Sequence, residues 1–299
     1  MTQCYDPDRR MDAGVAGGGP SDAAFSAVAR IAHAEAGLVL PPDKAPMVMS
    51  RIGKRMRKVG ASSLQDYCKL LEQADGRNER REMVFALTTN VTSFLREAHH
   101  FDYFRESILP ELVRRARQGG RVRLWSAGCS SGQEPYSLAM TVLDTFPEAA
   151  KADIRILATD IDPYVIGEAL AGSYADHLLE PLQTTWRARF FQPDKDATGH
   201  SSVNEEVRRL VVFRELNLLG QWPMTGRFDA IFCRNVVIYF DRATQAALWS
   251  RFHEALVPGG HLFLGHSERI DPTDDVPFRT AGTTIYQRTD GVAVAPAEN

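Results

Sequence analysis

The stretch that decides the fold is Arg121–Leu143, RVRLWSAGCSSGQEPYSLAMTVL. Arg121 to Ala127 is a short, β-rich apolar run. Gly128 to Gly132 reads as a turn, and a helix starts at Pro135 and runs to Leu143. A strand that passes through a glycine-bearing turn into a helix opens a βαβ unit. The same rhythm continues downstream. Ile154–Thr159 is a second strand and ends in Asp160-Ile161-Asp162, with Pro163 suited to the first turn of the next helix. Val211–Arg214, Phe228–Cys233, His261–Leu264 and Thr283–Arg288 are later strands. Asp241 caps a helix through Phe252 and Leu256, closed by Pro258-Gly259-Gly260. Alternating strands and helices predict an α/β class with a doubly wound sheet.

Upstream, residues 21–88 are helical in pattern, without a strand signal, and predict a small all-helical domain. Ser21 or Asp22 opens one helix, Pro41-Pro42 breaks the chain, and Asp43 opens a second that ends near Gly60. Ser62 or Ser63 opens a third, with Leu64, Tyr67, Leu70 and Leu71 at helical spacing. A fourth pattern runs from Glu79 through Met83, Leu87 and Val91. Residues 89–105 are read as an interdomain linker, polar and β-branched at its start, leading into a helix through Phe101, Phe104 and Leu109. The remainder, 106–288, is the α/β domain, interrupted at about 190–215 by a polar insertion with Pro193 and Gly199, suggestive of a small antiparallel β-element. Residues 1–20 and 289–299 are too poor in apolar side chains to pack and read as tails.

Bulk properties exclude several functions. With 299 residues and a net charge of -3, the chain has no global attraction to nucleic acid or to an anionic membrane. No apolar run approaches the roughly 18 residues of a membrane span, and the N-terminus lacks a signal-peptide pattern, so a cytoplasmic location is expected. Cys4, Cys68, Cys129 and Cys233 are scattered, which predicts reduced, buried thiols rather than a disulfide framework or zinc site. The pair His99-His100 is expected to point apart as helix neighbours, so no metal is expected. There is no G-x-S-x-G, Walker A or H-E-x-x-H sequence.

Four features carry chemistry. The glycines of the first turn are four apart, unlike G-x-G-x-x-G, which favours a smaller and less anionic ligand than a pyrophosphate. Glu134, just beyond, repels phosphate and favours an ammonium group. Asp160 ends the second strand about 30 residues on, where a carboxylate accepts hydrogen bonds from ribose hydroxyls; alone, it reads equally as a helix cap. Phe228–Phe240, FDAIFCRNVVIYF, delivers Arg234 and Asn235 to the carboxyl edge of the sheet, where buried polar groups require partners from a ligand or from neighbouring loops. Finally, Arg51, Lys54, Arg55 and Lys58 share one helix face, either simply solvated or a docking surface for an acidic partner.

The runs LTTNVTSFLREAHHF, RLWSAGCSSGQEPYSLAM, ILATDID, FDAIFCRNVVIYF and LVPGGHLFLGHSE, in this order, closely resemble the chemotaxis receptor methyltransferase family, CheR. The resemblance covers about residues 21–288. It implies a helical domain followed by a Rossmann-like methyltransferase domain, S-adenosylmethionine as methyl donor, and glutamate side chains of chemoreceptors as acceptors. It places cofactor contacts at Asn90, Thr92, Arg96, Glu134, Asp160, Asn217, Leu218, Arg234 and Asn235. It places the substrate end at Arg96 and Tyr239, and promotes Arg51, Lys54, Arg55 and Lys58 to a receptor-docking face. Gln133 stands where the family often has an acid. In some members a glycine-rich loop of the β-insertion binds a receptor's C-terminal pentapeptide. Here Gln192–His200 has one glycine, which argues against tether binding. A nucleic-acid methyltransferase would need a basic groove, and N-P-P-Y is missing. A non-catalytic cofactor-binding module would be expected to lose polar residues such as Asp160 or Arg234.

Overall fold

A computed structural model describes residues 20–290, so the expected tails, 1–20 and 289–299, lie outside the described residues except for Pro20, Thr289 and Asp290; Cys4 and the side chains of Ser21 and Asp22 lie outside them too. In chain order the elements are α1 (Pro20–Ala36), α2 (Ala45–Val59), α3 (Leu64–Glu72), α4 (Arg77–Leu87), α5 (Ala98–Tyr103), α6 (Leu109–Arg117), β1 (Val122–Ala127), α7 (Gln133–Thr145), β2 (Ile154–Asp160) and α8 (Pro163–Ala171). They continue with β3 (Ser173–Ala175), α9 (Thr184–Phe190), β4 (Phe191–Pro193), β5 (His200–Val203), α10 (Glu205–Arg208), β6 (Val211–Glu215), β7 (Phe228–Cys233), α11 (Arg242–Ala255), β8 (Leu256–Leu264), β9 (Phe278–Gly282) and β10 (Ile285–Arg288). Two compact units result: residues up to Glu35 together with Leu40–Ala86, and Ala36–Val39 together with the chain from Leu87 onward.

The first unit is helical. Ser63 caps α3 by accepting the Asp66 N–H, as the sequence suggests. Gly60 ends α2 in the left-handed conformation (φ 73°), which glycine adopts without a Cβ penalty. Asp43, however, does not cap α2: it lies in a 3₁₀ turn, Pro42–Lys44, and α2 starts beyond it without a side-chain cap. The fourth helix stops at Leu87; Val91 is 77% exposed and outside it. Arg55 is not a free member of the basic face. It spans to Glu79 at 2.5 Å and Glu82 at 2.8 Å and is only 12% exposed, because a carboxylate pair on α4 neutralises it.

In the second unit the main sheet has the order β6-β2-β1-β7-β8-β10-β9. The first five strands are parallel, and the β9–β10 hairpin is added antiparallel to β8. The chain leaves β1 toward β2 and β6, then returns to place β7 on the other side of β1. That reversal makes the carboxyl ends of β1 and β7 a topological switch point, where α/β sheets open a crevice for ligands. All six residues of β7 are buried, as expected of a strand covered on both faces. Side chains alternate between two cores: Leu124, Ala230 and Phe232 pack with α5, α6 and α7, whereas Trp125, Ile231 and Cys233 pack with α11.

Several boundaries differ from the sequence reading. Pro258-Gly259-Gly260 does not terminate α11; the helix ends at Ala255 and these residues lie within β8. The 190–215 span divides, since β4 and β5 join β3 in a separate antiparallel sheet of order β3-β5-β4, while β6 pairs with β2 in the main sheet. β3 and β9 were not expected; three residues, and a five-residue edge strand of mixed polarity, carry too little pattern to read. The second half of the 89–105 segment is not a linker. Phe94, Phe101 and Phe104 are buried, and Phe101 and Phe104 pack on Phe232 at ring separations of 6.1 and 5.8 Å. Cys68, Cys129 and Cys233 are buried free thiols, and burial pushes the last two well above the usual thiol pKa. None of the described helices is long and apolar enough to cross a membrane.

Because Phe104 is fully buried in the larger core, Phe104→Ala is expected to lower unfolding free energy by about 3–5 kcal/mol in urea titrations. Truncating a side chain in a true linker would leave the midpoint unchanged.

Candidate active site

The switch point opens into a cleft continuous with solvent. Asn90, Thr92, Arg96, Glu134, Asp160, Asn217, Leu218, Arg234, Asn235 and Tyr239 all line it. Every cofactor and substrate-end residue singled out in the sequence is thus brought to one cavity from five separate chain segments.

The β1 turn forms its floor. Gly128 has φ 91°, and a Cβ there would fall 2.3 Å from Val236 Cγ2, so only glycine lets the turn close against the segment after β7. Ser130 also has positive φ (49°), held by two bonds: its N–H donates to Asp160 Oδ2 at 2.8 Å and its hydroxyl to the Asn90 carbonyl at 2.8 Å. Asp160 Oδ1 accepts the Asp162 N–H at 3.1 Å, which leaves each carboxylate oxygen with capacity for a further donor. Burial raises the Asp160 pKa, opposed by these backbone N–H groups. The helix cap is Asp162, not Asp160: it accepts the Tyr164 N–H at 2.9 Å and, through its other oxygen, the Asn90 side-chain amide at 2.9 Å. Asp160 remains available to the cleft.

Arg234 organises the opposite wall. Its side chain is 2% exposed and meets Glu134 at 3.1 Å and Glu97 at 3.3 Å. It also donates to the Arg96 carbonyl and lies 5.5 Å from the Phe101 ring centre. The sequence admitted a ligand or neighbouring loops as its partners; protein groups take its terminal nitrogens, and only Nε has no partner among the described residues. Glu134 accepts the Ser126 hydroxyl at 2.7 Å. Burial raises its pKa, with Arg234 pulling the other way. One guanidinium between two carboxylates carries net charge -1, which favours a cationic group nearby.

Glu97 was missed as an individual residue, although it follows Arg96 in a run that carried the resemblance. It adopts φ 57°, and its Oε1 accepts from Asn235 Nδ2 at 3.3 Å and His266 Nδ1 at 3.1 Å. Burial opposes its ionisation, but Arg234, His266 and Asn235 prevail and hold its pKa down at about 2. His100 is fully buried, with Nε2 2.9 Å from the Thr284 hydroxyl; burial and the Arg234 charge lower its pKa to about 3. The rings of His99 and His100 do not point apart but lie 4.1 Å from each other, because adjacent side chains can lean together even when their Cβ directions diverge. Leu95, Glu97, Ser130 and Asn235 are four of the six described non-glycine residues with positive φ, so unusual backbone geometry concentrates around this cleft.

Asn217 Oδ1 accepts the Leu219 N–H at 2.9 Å, shaping the loop after β6. Arg96 donates to the Val91 carbonyl at 3.0 Å. Tyr239 is set by backbone contacts, its carbonyl accepting the Val39 N–H at 2.8 Å. Among the described residues, no hydrogen bond engages its hydroxyl.

This geometry coincides with a family match. Residues 90–287 match the SAM-binding domain of CheR methyltransferases, and residues 23–88 match the all-alpha domain of the same enzymes. The chain belongs to the CheR methyltransferase family. It is 47% identical over 258 residues to a probable chemotaxis protein methyltransferase of Rhizobium etli, covering 86% of this chain and 96% of that one. It is 39% identical over 268 residues to the chemotaxis protein methyltransferase of Escherichia coli, covering 89% and 91%. Chemotaxis protein methyltransferase 2 of Pseudomonas aeruginosa is 40% identical over 253 residues, covering 84% and 87%.

The buried His100 and Glu97 both have folded pKa values below their ordinary 6.5 and 4.5. Each therefore contributes stability that is complete above its ordinary pKa and is lost as pH falls toward its folded value. Thermal melts are expected to show stability declining below about pH 6.5. His100→Gln should flatten the part of that decline above pH 4.5; an unchanged slope would assign it to other groups.

Proposed function

We propose that this chain transfers the methyl group of S-adenosylmethionine to glutamate side-chain carboxylates of chemoreceptors, forming methyl esters. The observation that carries this reading is the single cleft at the β1/β7 switch point, lined by all ten polar and apolar residues expected to serve that chemistry. The residues fit the cofactor. Asp160 keeps free acceptor capacity for ribose hydroxyls, and the Glu97–Arg234–Glu134 group, net -1, suits a ligand bearing a sulfonium and an ammonium. Gly128 leaves its floor without a side chain. Asn90, Thr92, Asn217, Leu218 and Asn235 would complete the contacts, and Arg96 would hold the carboxylate. The cofactor supplies a methyl group already activated by its sulfonium.

The remaining work falls to the protein. A glutamate has a solution pKa of about 4.3 and is ionised at neutral pH, so no general base is required. The side chains need only align the carboxylate and strip it of water. A cation gripping the nucleophile would oppose the loss of charge on methylation. A neutral donor does not, and Tyr239, with its hydroxyl unengaged, is assigned to orient the acceptor. A cytoplasmic location accords with this reading.

For partner contact the proposal assigns Arg51, Lys54 and Lys58 on α2 to an acidic receptor surface. Lys54, Arg57 and Lys58 are exposed, and Arg55 serves the helical unit internally. The proposal does not include a pentapeptide tether. Asp194, at the start of the 194–199 loop, is taken up by Ser202 at 2.5 Å and the Asp196 N–H at 2.9 Å.

Receptor-bearing membranes incubated with methyl-labelled S-adenosylmethionine should acquire label that mild alkali releases as methanol; label on RNA instead would overturn the assignment. Tyr239→Phe is expected to slow transfer roughly 10- to 100-fold, the worth of one hydrogen bond to a charged group. The double variant Lys54→Glu/Lys58→Glu should raise the KM for receptor by about tenfold while leaving S-adenosylhomocysteine affinity intact. Equal losses in both would place these lysines outside receptor docking.

A further inference from the structure

Glu268 lies outside the cleft lining, yet it is only 3% exposed and its carboxylate collects five backbone N–H groups. Oε1 accepts from Val236 at 2.8 Å, Val237 at 2.8 Å and Ile238 at 3.2 Å; Oε2 accepts from Asn235 at 2.9 Å and Gly265 at 2.6 Å. No arginine or lysine among the described residues forms an ion pair with it, so the charge is balanced by peptide dipoles alone. Consecutive N–H groups converging on one anion form a nest. Burial raises the Glu268 pKa and these N–H groups lower it.

The segment it grips carries the reacting end of the site. β7 and β8 are parallel neighbours with Cys233 opposite Leu264, so the chain leaves both strands side by side. A Cβ on Gly265 would fall 2.6 Å from the Asn235 nitrogen and 2.4 Å from its Nδ2, so the two segments touch through backbone. Asn235 is held at φ 60°, and the following 3₁₀ turn, Val237–Tyr239, delivers Tyr239 to the cleft. Without the carboxylate, four successive amides at this turn would lose the acceptor that holds it. Glu97 meets the Asn235 side chain from the other side, so the residue is clamped through both backbone and amide.

We propose that Glu268 is a positioning residue for methyl transfer, acting through Asn235 and Tyr239 by setting the turn that presents them. The inference rests on the methyl-transfer reading above. Glu268→Gln preserves shape but turns an NH₂ donor toward the backbone N–H groups. Glu268→Asp keeps the charge and shortens the reach. The assay is transfer from labelled S-adenosylmethionine to receptor-bearing membranes, well below the melting temperature, with circular dichroism and S-adenosylhomocysteine binding measured alongside.

The expected result for Glu268→Gln is native circular dichroism, kcat lowered by about tenfold or more, and a smaller loss of S-adenosylhomocysteine affinity, transmitted through Asn235. Glu268→Asp should recover part of the rate. Combining Glu268→Gln with Tyr239→Phe should cost less than the product of the single losses, because both act on one interaction. A folded Glu268→Gln enzyme with kcat within about twofold of wild type, or losses that multiply independently, would overturn the proposal and leave the carboxylate a structural one. If Glu268→Gln does not fold, Glu268→Asp carries the same comparison with Tyr239→Phe, and the same two outcomes decide. Failure of the wild-type chain to methylate any receptor would instead overturn the methyl-transfer reading, and this inference with it.

Discussion

The guanidinium of Arg234, buried between the carboxylates of Glu97 and Glu134, is the interaction on which the rest of the site depends. Taking charges out of water is costly, and removing one partner of such a group typically costs about 3–5 kcal/mol because the others are left unpaired. The arrangement is therefore rigid, since none of its members can move alone. It ties the first turn of α7, through Glu134, to the end of β7 and to the segment before α5, through Glu97 and the Arg96 carbonyl. Three stretches well separated along the chain become one wall of the cleft.

The sheet makes that convergence possible. Parallel pairing of β1 with β2 and β7 brings the exits of all three strands to one edge, so a glycine turn, Asp160 and Arg234 arrive together. Strain accumulates at the same edge. Ser130 and Asn235 adopt left-handed backbone conformations, and in each case a carboxylate accepts the residue's own N–H: Asp160 for Ser130 and Glu268 for Asn235. Of these two carboxylates, Glu268 only holds a loop that shapes the cleft, whereas Asp160 both holds a loop and lines the cleft.

The proposed chemistry needs no base. An ionised acceptor and an activated methyl group need orientation and dryness. On the proposed reading the protein supplies fixed dipoles, a net negative group suited to a cationic ligand, and, at Tyr239, a hydroxyl that bears no charge. Such preorganisation is worthwhile only if the turn from Asn235 to Tyr239 does not move, which is the role proposed for the buried Glu268 carboxylate behind it.

The sequence by itself determined, apart from the six cleft residues that only the family resemblance named, the class of fold, the strands β1, β2 and β7, and Glu134, Asp160, Arg234 and Asn235 as site candidates. These are local properties: alternating apolar runs, glycines where a turn demands them, and polar residues at strand ends. Length was what made them legible, since six or seven mostly apolar residues leave little choice, whereas β3 and β9 are too short or too mixed to announce themselves. Only the tertiary structure decided which polar residue partners which. Arg55 belonged by spacing to an open basic face and is consumed by Glu79 and Glu82; Phe101 and Phe104 sat in an expected linker and complete a core; Asp43 and Asp160 each read locally as a cap and neither is one. Glu97 and Glu268 lay within recognisable runs, but their roles depend on N–H groups and charges far along the chain. Pairing across that distance is set by packing, which no local pattern encodes.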